Sequence, residues 1–178
     1  MYKLDVVKVD PDNNTHKLII EEMIRNNSKW FLDDSITTVD QFVSEHLEGI
    51  KDYGFVGFIA YIDEIPYGYL FAEFDRYKNA YLTIVNNPIA TKWMHFYTSQ
   101  KVFKQFIDYL FNTEKANKLI CYMFTWNERA EKACRYIGFR KEGIAKGQIV
   151  LNGKSINQLY LGLTKEDYIR SKQDGQRH

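Results

Sequence analysis

The chain has only two cysteines in 178 residues, Cys121 and Cys134. Two thiols make neither a disulfide framework nor a metal-binding spacing. They read as reduced side chains of a cytoplasmic protein. The four histidines, His16, His46, His95 and His178, show no ligand spacing either, so no metal is expected. Excess charge of one sign is also missing, with 24 Lys plus Arg against 23 Asp plus Glu for a formal +1. Dedicated nucleic-acid binders usually carry a basic excess. No segment reaches the roughly 18 to 20 apolar residues that span a bilayer. The opening MYKLDVVKVD is too charged for a signal peptide, so no membrane partner is expected. There is no internal repeat, no low-complexity tract and no Pro/Gly/Ser linker.

What is abundant is apolar and aromatic. Hydrophobic residues make up 45%, with 13 Tyr, 12 Phe and 3 Trp. A disordered chain is poorer in such residues. The length suits one domain with a substantial core, expected over residues 1–170. The closing SKQDGQRH, residues 171–178, has no apolar anchor and is expected to be a flexible tail.

KLDVVKV reads as a first strand. Leu18, Ile19, Met23 and Ile24 then recur at helical spacing, giving a helix to about Asn26. SKWFLDDSITT is a loop, after which Thr38 or Asp40 caps a second helix carrying Phe42, Val43, His46 and Leu47. FVGFIAYI is a continuous apolar run, as in a strand covered on both faces. Asp63, Glu64 and Pro66 supply a turn, and YGYLFAEF and AYLTIV follow as an antiparallel meander. Val102, Phe103, Phe106, Ile107, Leu110 and Phe111 form one wide helical stripe. KLICYMF is a strand, NERAEKACRYI a helix, and the final strands form a hairpin around Asn152-Gly153. Thr164 is expected to cap a last short helix.

This order implies an α/β (α+β) fold: a mixed, mostly antiparallel twisted sheet flanked by helices. A right-handed crossover makes AYLTIV and KLICYMF parallel neighbours. A parallel junction beside antiparallel neighbours can splay. The helix after AYLTIV starts near that opening, with free N–H groups and a positive dipole end that favour a phosphate or pyrophosphate. The same helix end can equally meet only water.

The stretch NERAEKACRYIGFRKEG, residues 127–143, resembles the Asn-x-x-Ala … Gly-Phe-x-x-Glu-Gly signature of the GNAT superfamily of acetyl-CoA-dependent N-acetyltransferases. It is most similar to the branch holding ribosomal-protein alanine acetyltransferases and phage-encoded relatives. The likeness covers residues 106 to about 168; the first half matches in element order only. In purely physical terms, Gly138 takes the left-handed conformation that ends a helix and Phe139 turns back to the core. The resemblance implies that acetyl-CoA lies in the splay, its pyrophosphate near residues 93 to 98. Asn127 is then either a helix cap, a contact to the pantetheine arm, or both. Trp93, Phe96 and Thr98 follow as cofactor-side candidates. Lys132 and Arg135, with Arg140 and Lys141, put basic charge near the expected 3′-phosphate, or simply form a solvated face.

The sequence departs from the family in two places. The pyrophosphate loop is usually glycine-rich, but ATKWMHFYTSQK has no glycine. Where many members carry a Tyr acid, this chain has Cys134, either a weak proton donor or a small buried helix residue. For the base, Glu73 and His95 are the candidates; Glu73 also fits a solvated strand face, and His95 also fits a structural role among aromatics. Tyr136 lies about 200° further round the helix from Cys134 and should face elsewhere. Trp30, Phe31, Tyr53 and Tyr67 are available to line an acceptor groove.

The first reading is an acetyl-CoA-dependent N-acetyltransferase acting on a primary amine of a protein or small molecule. The second is a GNAT-fold protein that has lost catalysis and binds or assembles with a partner, for instance in a phage; a homo-oligomer is also open. A binder of single-stranded nucleic acid is a weaker third.

Overall fold

The computed structural model describes residues 3–36, 38–87 and 96–175. Its elements follow the expected order. Strand β1 (Leu4–Lys8) precedes helices α1 (Asn14–Asn26) and α2 (Val39–Asp52). Strands β2 (Val56–Ile62), β3 (Ile65–Phe74) and β4 (Asn79–Asn86) lead to helix α3 (Phe96–Asn112). Strand β5 (Lys118–Phe124), helix α4 (Glu128–Ile137), the hairpin β6 (Arg140–Leu151) and β7 (Lys154–Thr164), and helix α5 (Lys165–Gly175) complete it. The sheet has seven strands in the order β1-β2-β3-β4-β5-β7-β6, mostly antiparallel, with β4 and β5 parallel. No described helix is long and apolar enough to cross a membrane.

Cα proximity divides the chain into two compact units. One takes residues 1–73 and 83–96, the other 74–82 and 97–178. In the first, α1 and α2 pack on β2 and β3 through Ile20, Met23, Ile24, Phe42, Val43, Leu47, Ile59, Tyr69 and Phe71. Both helices start on polar caps. Asn13 accepts from the backbone of Thr15 and His16, and Thr38 accepts from Gln41, each satisfying N–H groups that a helix leaves unpaired. His46 lies stacked on Phe71, ring centroids 3.9 Å apart and 7° from parallel, and its Nδ1 is 3.2 Å from the Tyr69 hydroxyl. Burial pushes its pKa down to about 3, so the ring is neutral.

Two expectations need correction. The turn after β2 uses Asp63 and Glu64 alone, both at positive φ. Pro66 lies inside β3, opposite Tyr61, where the register slips between Ala60 and Tyr61. A bulge tolerates a residue that lacks a ladder N–H. The tail expected from residue 171 is helical as far as Gly175. Ser171 Oγ donates to the Tyr168 carbonyl at 2.8 Å, and Lys172 Nζ meets Asp108 Oδ1 at 2.5 Å, so polar contacts hold a segment that has no apolar anchor.

In the second unit the stripe of α3 is buried as patterned: Val102, Phe103, Phe106, Ile107, Leu110 and Phe111 are each at most 6% exposed. The β6–β7 turn places Asn152 and Gly153 at φ 51° and 69°, the mirror-turn geometry that such a pair adopts. Thr164 Oγ1 accepts from the Asp167 backbone at 3.1 Å, capping α5 as expected.

Candidate functional site

The parallel ladder between β4 and β5 is short. It runs from Asn79↔Lys118 to Leu82↔Cys121, although β5 continues to Phe124 and stays paired with β7 along that whole length. The chain then turns through Thr125 and Trp126 into α4. Asn127 N–H donates to the Phe124 carbonyl at 2.9 Å, which fixes the turn.

Asn127 is the N-cap of α4, its Oδ1 accepting from the Ala130 N–H at 3.3 Å. Only the oxygen is used. Its Nδ2 has no hydrogen-bond partner among the described residues, and the side chain is half-buried. An amide so placed caps the helix with one atom and offers a donor to a carbonyl with the other. Both alternatives raised for Asn127 are therefore geometrically compatible. Glu128 and Glu131 in the first turn complement the helix dipole.

Trp126, which the sequence reading missed, stands beside this cap. It is 49% exposed and stacks on buried Phe124, with ring centroids 4.8 Å apart and 17° between planes. Its position next to the signature Asn was the available signal. Across α4, Gly138 closes the helix at φ 118°, and the N–H groups of Gly138 and Phe139 return to the carbonyls of Arg135 and Cys134. Phe139 is buried and stacks on Phe103 of α3.

The remaining candidates are not gathered at one point. Cys134 is buried, and the Cys121 thiol on β5 hydrogen-bonds to it; that bond first, then burial, raises the Cys121 pKa well above the usual thiol value. Glu73 is on the solvated face of β3, between buried Ala72 and half-buried Phe74. Lys132 is exposed and 3.7 Å from Glu128, and Arg135 is 2.8 Å from Glu131. Tyr136 is exposed under Lys104, facing away as expected. Tyr67, offered for an acceptor groove, is buried at 1%. Phe96 and Thr98 fall in the first turn of α3. Trp93 and His95 lie outside the described residues.

Gln100, in the second turn of α3, was not singled out by the sequence. It is 5% exposed, and its Oε1 has no hydrogen-bond partner among the described residues. It stands one helical turn before Phe103 on the buried stripe, where an apolar residue would fit the pattern.

The fold is that of the GNAT N-acetyltransferases. Mutant forms of the spermidine/spermine N-acetyltransferase SpeG from Vibrio cholerae align with a TM-score of 0.76 at 15% identity, over 95% of this chain and 98% of that one. The same enzyme solved in complex with CoA and spermine aligns with a TM-score of 0.75 at 15% identity, over 93% and 98%. Ribosomal-protein-S5-alanine acetyltransferase from Vibrio fischeri aligns with a TM-score of 0.71 at 15% identity, over 93% and 94%. No protein-family model matches the chain, and no curated protein matches it by sequence.

Proposed function

We propose that this chain is an acetyl-CoA-dependent N-acetyltransferase whose acceptor is a primary amine of a protein or a small molecule. The carrying observation is its likeness, over nearly the whole chain, to an N-acetyltransferase solved with CoA and spermine. The open Nδ2 of Asn127 supports the same reading, since a pantetheine amide carbonyl is the acceptor it lacks. Trp93, Phe96 and Thr98 would line the cosubstrate near the start of α3, and Lys132 would supply charge for its phosphates; Arg135, Arg140 and Lys141, also offered for that role, line a cavity at the other end of α4. Two reduced cysteines fit a cytoplasmic location.

The chemistry is acyl transfer. The amine must shed a proton to expose its lone pair. That lone pair attacks the thioester carbonyl carbon, the C–S bond breaks, and CoA leaves as a thiolate that takes up a proton. Holding both substrates together supplies much of the rate. Glu73 or His95 is the proposed base and Cys134 the proposed acid. A second reading, a GNAT-fold binding or assembly protein without catalysis, is favoured by one observation: Cys134 is buried rather than open to a ligand.

Incubating the protein with acetyl-CoA and a panel of primary amines tests the proposal. The panel is spermidine, a peptide with N-terminal alanine and a lysine peptide, with free CoA as the readout. Release that depends on one amine supports the enzyme. Binding of acetyl-CoA without release from any amine supports the second reading.

A further inference from the structure

At the end of α4 away from Asn127, about 15 Å along the helix, lies a cavity of about 470 Å³. The end of α4, the start of β6 and helix α5 line it, and it is open to solvent. Its walls carry Arg135, Arg140, Lys141 and Arg170, opposed by the single carboxylate of Asp167.

That carboxylate is pinned. Asp167 Oδ2 accepts from Thr164 Oγ1 at 3.0 Å, while its backbone N–H donates to the same hydroxyl at 3.1 Å. Its other oxygen lies 3.4 Å from Arg140 Nη2 and 3.7 Å from Arg170 Nη1. Charge-assisted hydrogen bonds are ordinarily about 2.7 to 2.9 Å, so one carboxylate aims two guanidinium groups without satisfying either. Among the described residues Arg135 uses only its Nε, toward Glu131. Lys141 is exposed and has no ion pair among the described residues.

We propose that this cavity binds a small molecule carrying two or more phosphate groups, at a site separate from the acyl-transfer centre. Guanidinium forks match phosphate oxygens two at a time. The volume lies in the range of small-molecule sites, larger than one phosphate needs. Phe139, the aromatic residue on its wall, is 2% exposed and offers no face for a base. The ligand is therefore read through its phosphates. This inference does not rest on the acetyltransferase reading.

The test uses the full chain and inorganic pyrophosphate, by calorimetry at low and raised salt, with the double variant Arg140→Gln/Arg170→Gln. Both side chains are exposed, at 69% and 63%, so the variant should keep its thermal midpoint. The expected result is salt-sensitive pyrophosphate binding, weakened about 100-fold in the variant through lost charge-assisted bonds. Acetyl-CoA binding should be unchanged. No pyrophosphate binding at millimolar concentration overturns the proposal, and so does equal binding by both proteins. Selective loss of acetyl-CoA affinity, with 3′-dephospho-CoA affinity kept, also overturns it, because the cavity would then belong to the cosubstrate. If acetyl-CoA does not bind at all, the pyrophosphate comparison still decides.

Discussion

Acidification should destabilise this protein through one ring. His46 lies between Phe42 and Phe71, centroids 4.3 and 3.9 Å away, with Tyr69 as its polar partner. Its folded pKa of about 3 lies well below the ordinary 6.5. The unfolded chain thus takes up a proton that the folded one refuses. The contribution of neutral His46 is fully present above pH 6.5 and is lost as pH falls from 6.5 toward 3. Linkage gives a loss of about 2 kcal/mol at pH 5 and a ceiling of about 5 kcal/mol near pH 3. The ring is half-buried rather than sealed, so the observed loss should fall below that ceiling. Urea denaturation at pH 7, 6 and 5 measures it, with His46→Phe as the reference. That variant keeps the stacking but leaves the Tyr69 hydroxyl unpaired, at a cost of about 1 to 3 kcal/mol. Its stability should nevertheless vary less between pH 7 and 5 than that of the parent. Equal slopes for the two proteins would refute the reasoning.

Three further substitutions separate structural from functional roles. Asn127→Ala should cost about 1 kcal/mol through the lost cap and also weaken acetyl-CoA binding; an unchanged affinity in titration would leave Asn127 as a cap alone. Gln100→Met should stabilise the ligand-free protein by about 1 kcal/mol in thermal denaturation, because it removes a buried acceptor with no partner among the described residues. A loss of stability would mean that the amide is satisfied in solution. Gly138→Ala should destabilise by about 1 to 2 kcal/mol, since φ is 118°, a conformation that a side chain strains. A neutral result in urea titration would contradict the left-handed cap.

Much of the fold was legible because local signals agreed with one another. Apolar runs became β2 and β3, the six-residue stripe of α3 is buried, and Asn152-Gly153 made its hairpin. Pro66 misled because a bulge beside it at Tyr67, which no local pattern announces, lets proline stay in the ladder. The extension of α5 was hidden for a similar reason. SKQDG has no apolar anchor, and it reaches α3 through the Lys172–Asp108 pair. The basic cavity was hidden for another reason: it forms only where the expected last helix, with Asp167 and Arg170, packs beside the end of α4 and the start of β6. At the candidate site, the motif located Asn127 but not the division of labour between its two side-chain atoms. The contact between Cys121 and Cys134 depends on how α4 packs on β5, which spacing alone does not fix.

The central claim is that this fold takes acetyl-CoA at the Asn127 end of α4. Calorimetric titration of the purified chain with acetyl-CoA at moderate salt tests it most directly. Micromolar binding that weakens in Asn127→Ala is the predicted result. No heat, and no thermal stabilisation at millimolar acetyl-CoA, would contradict it.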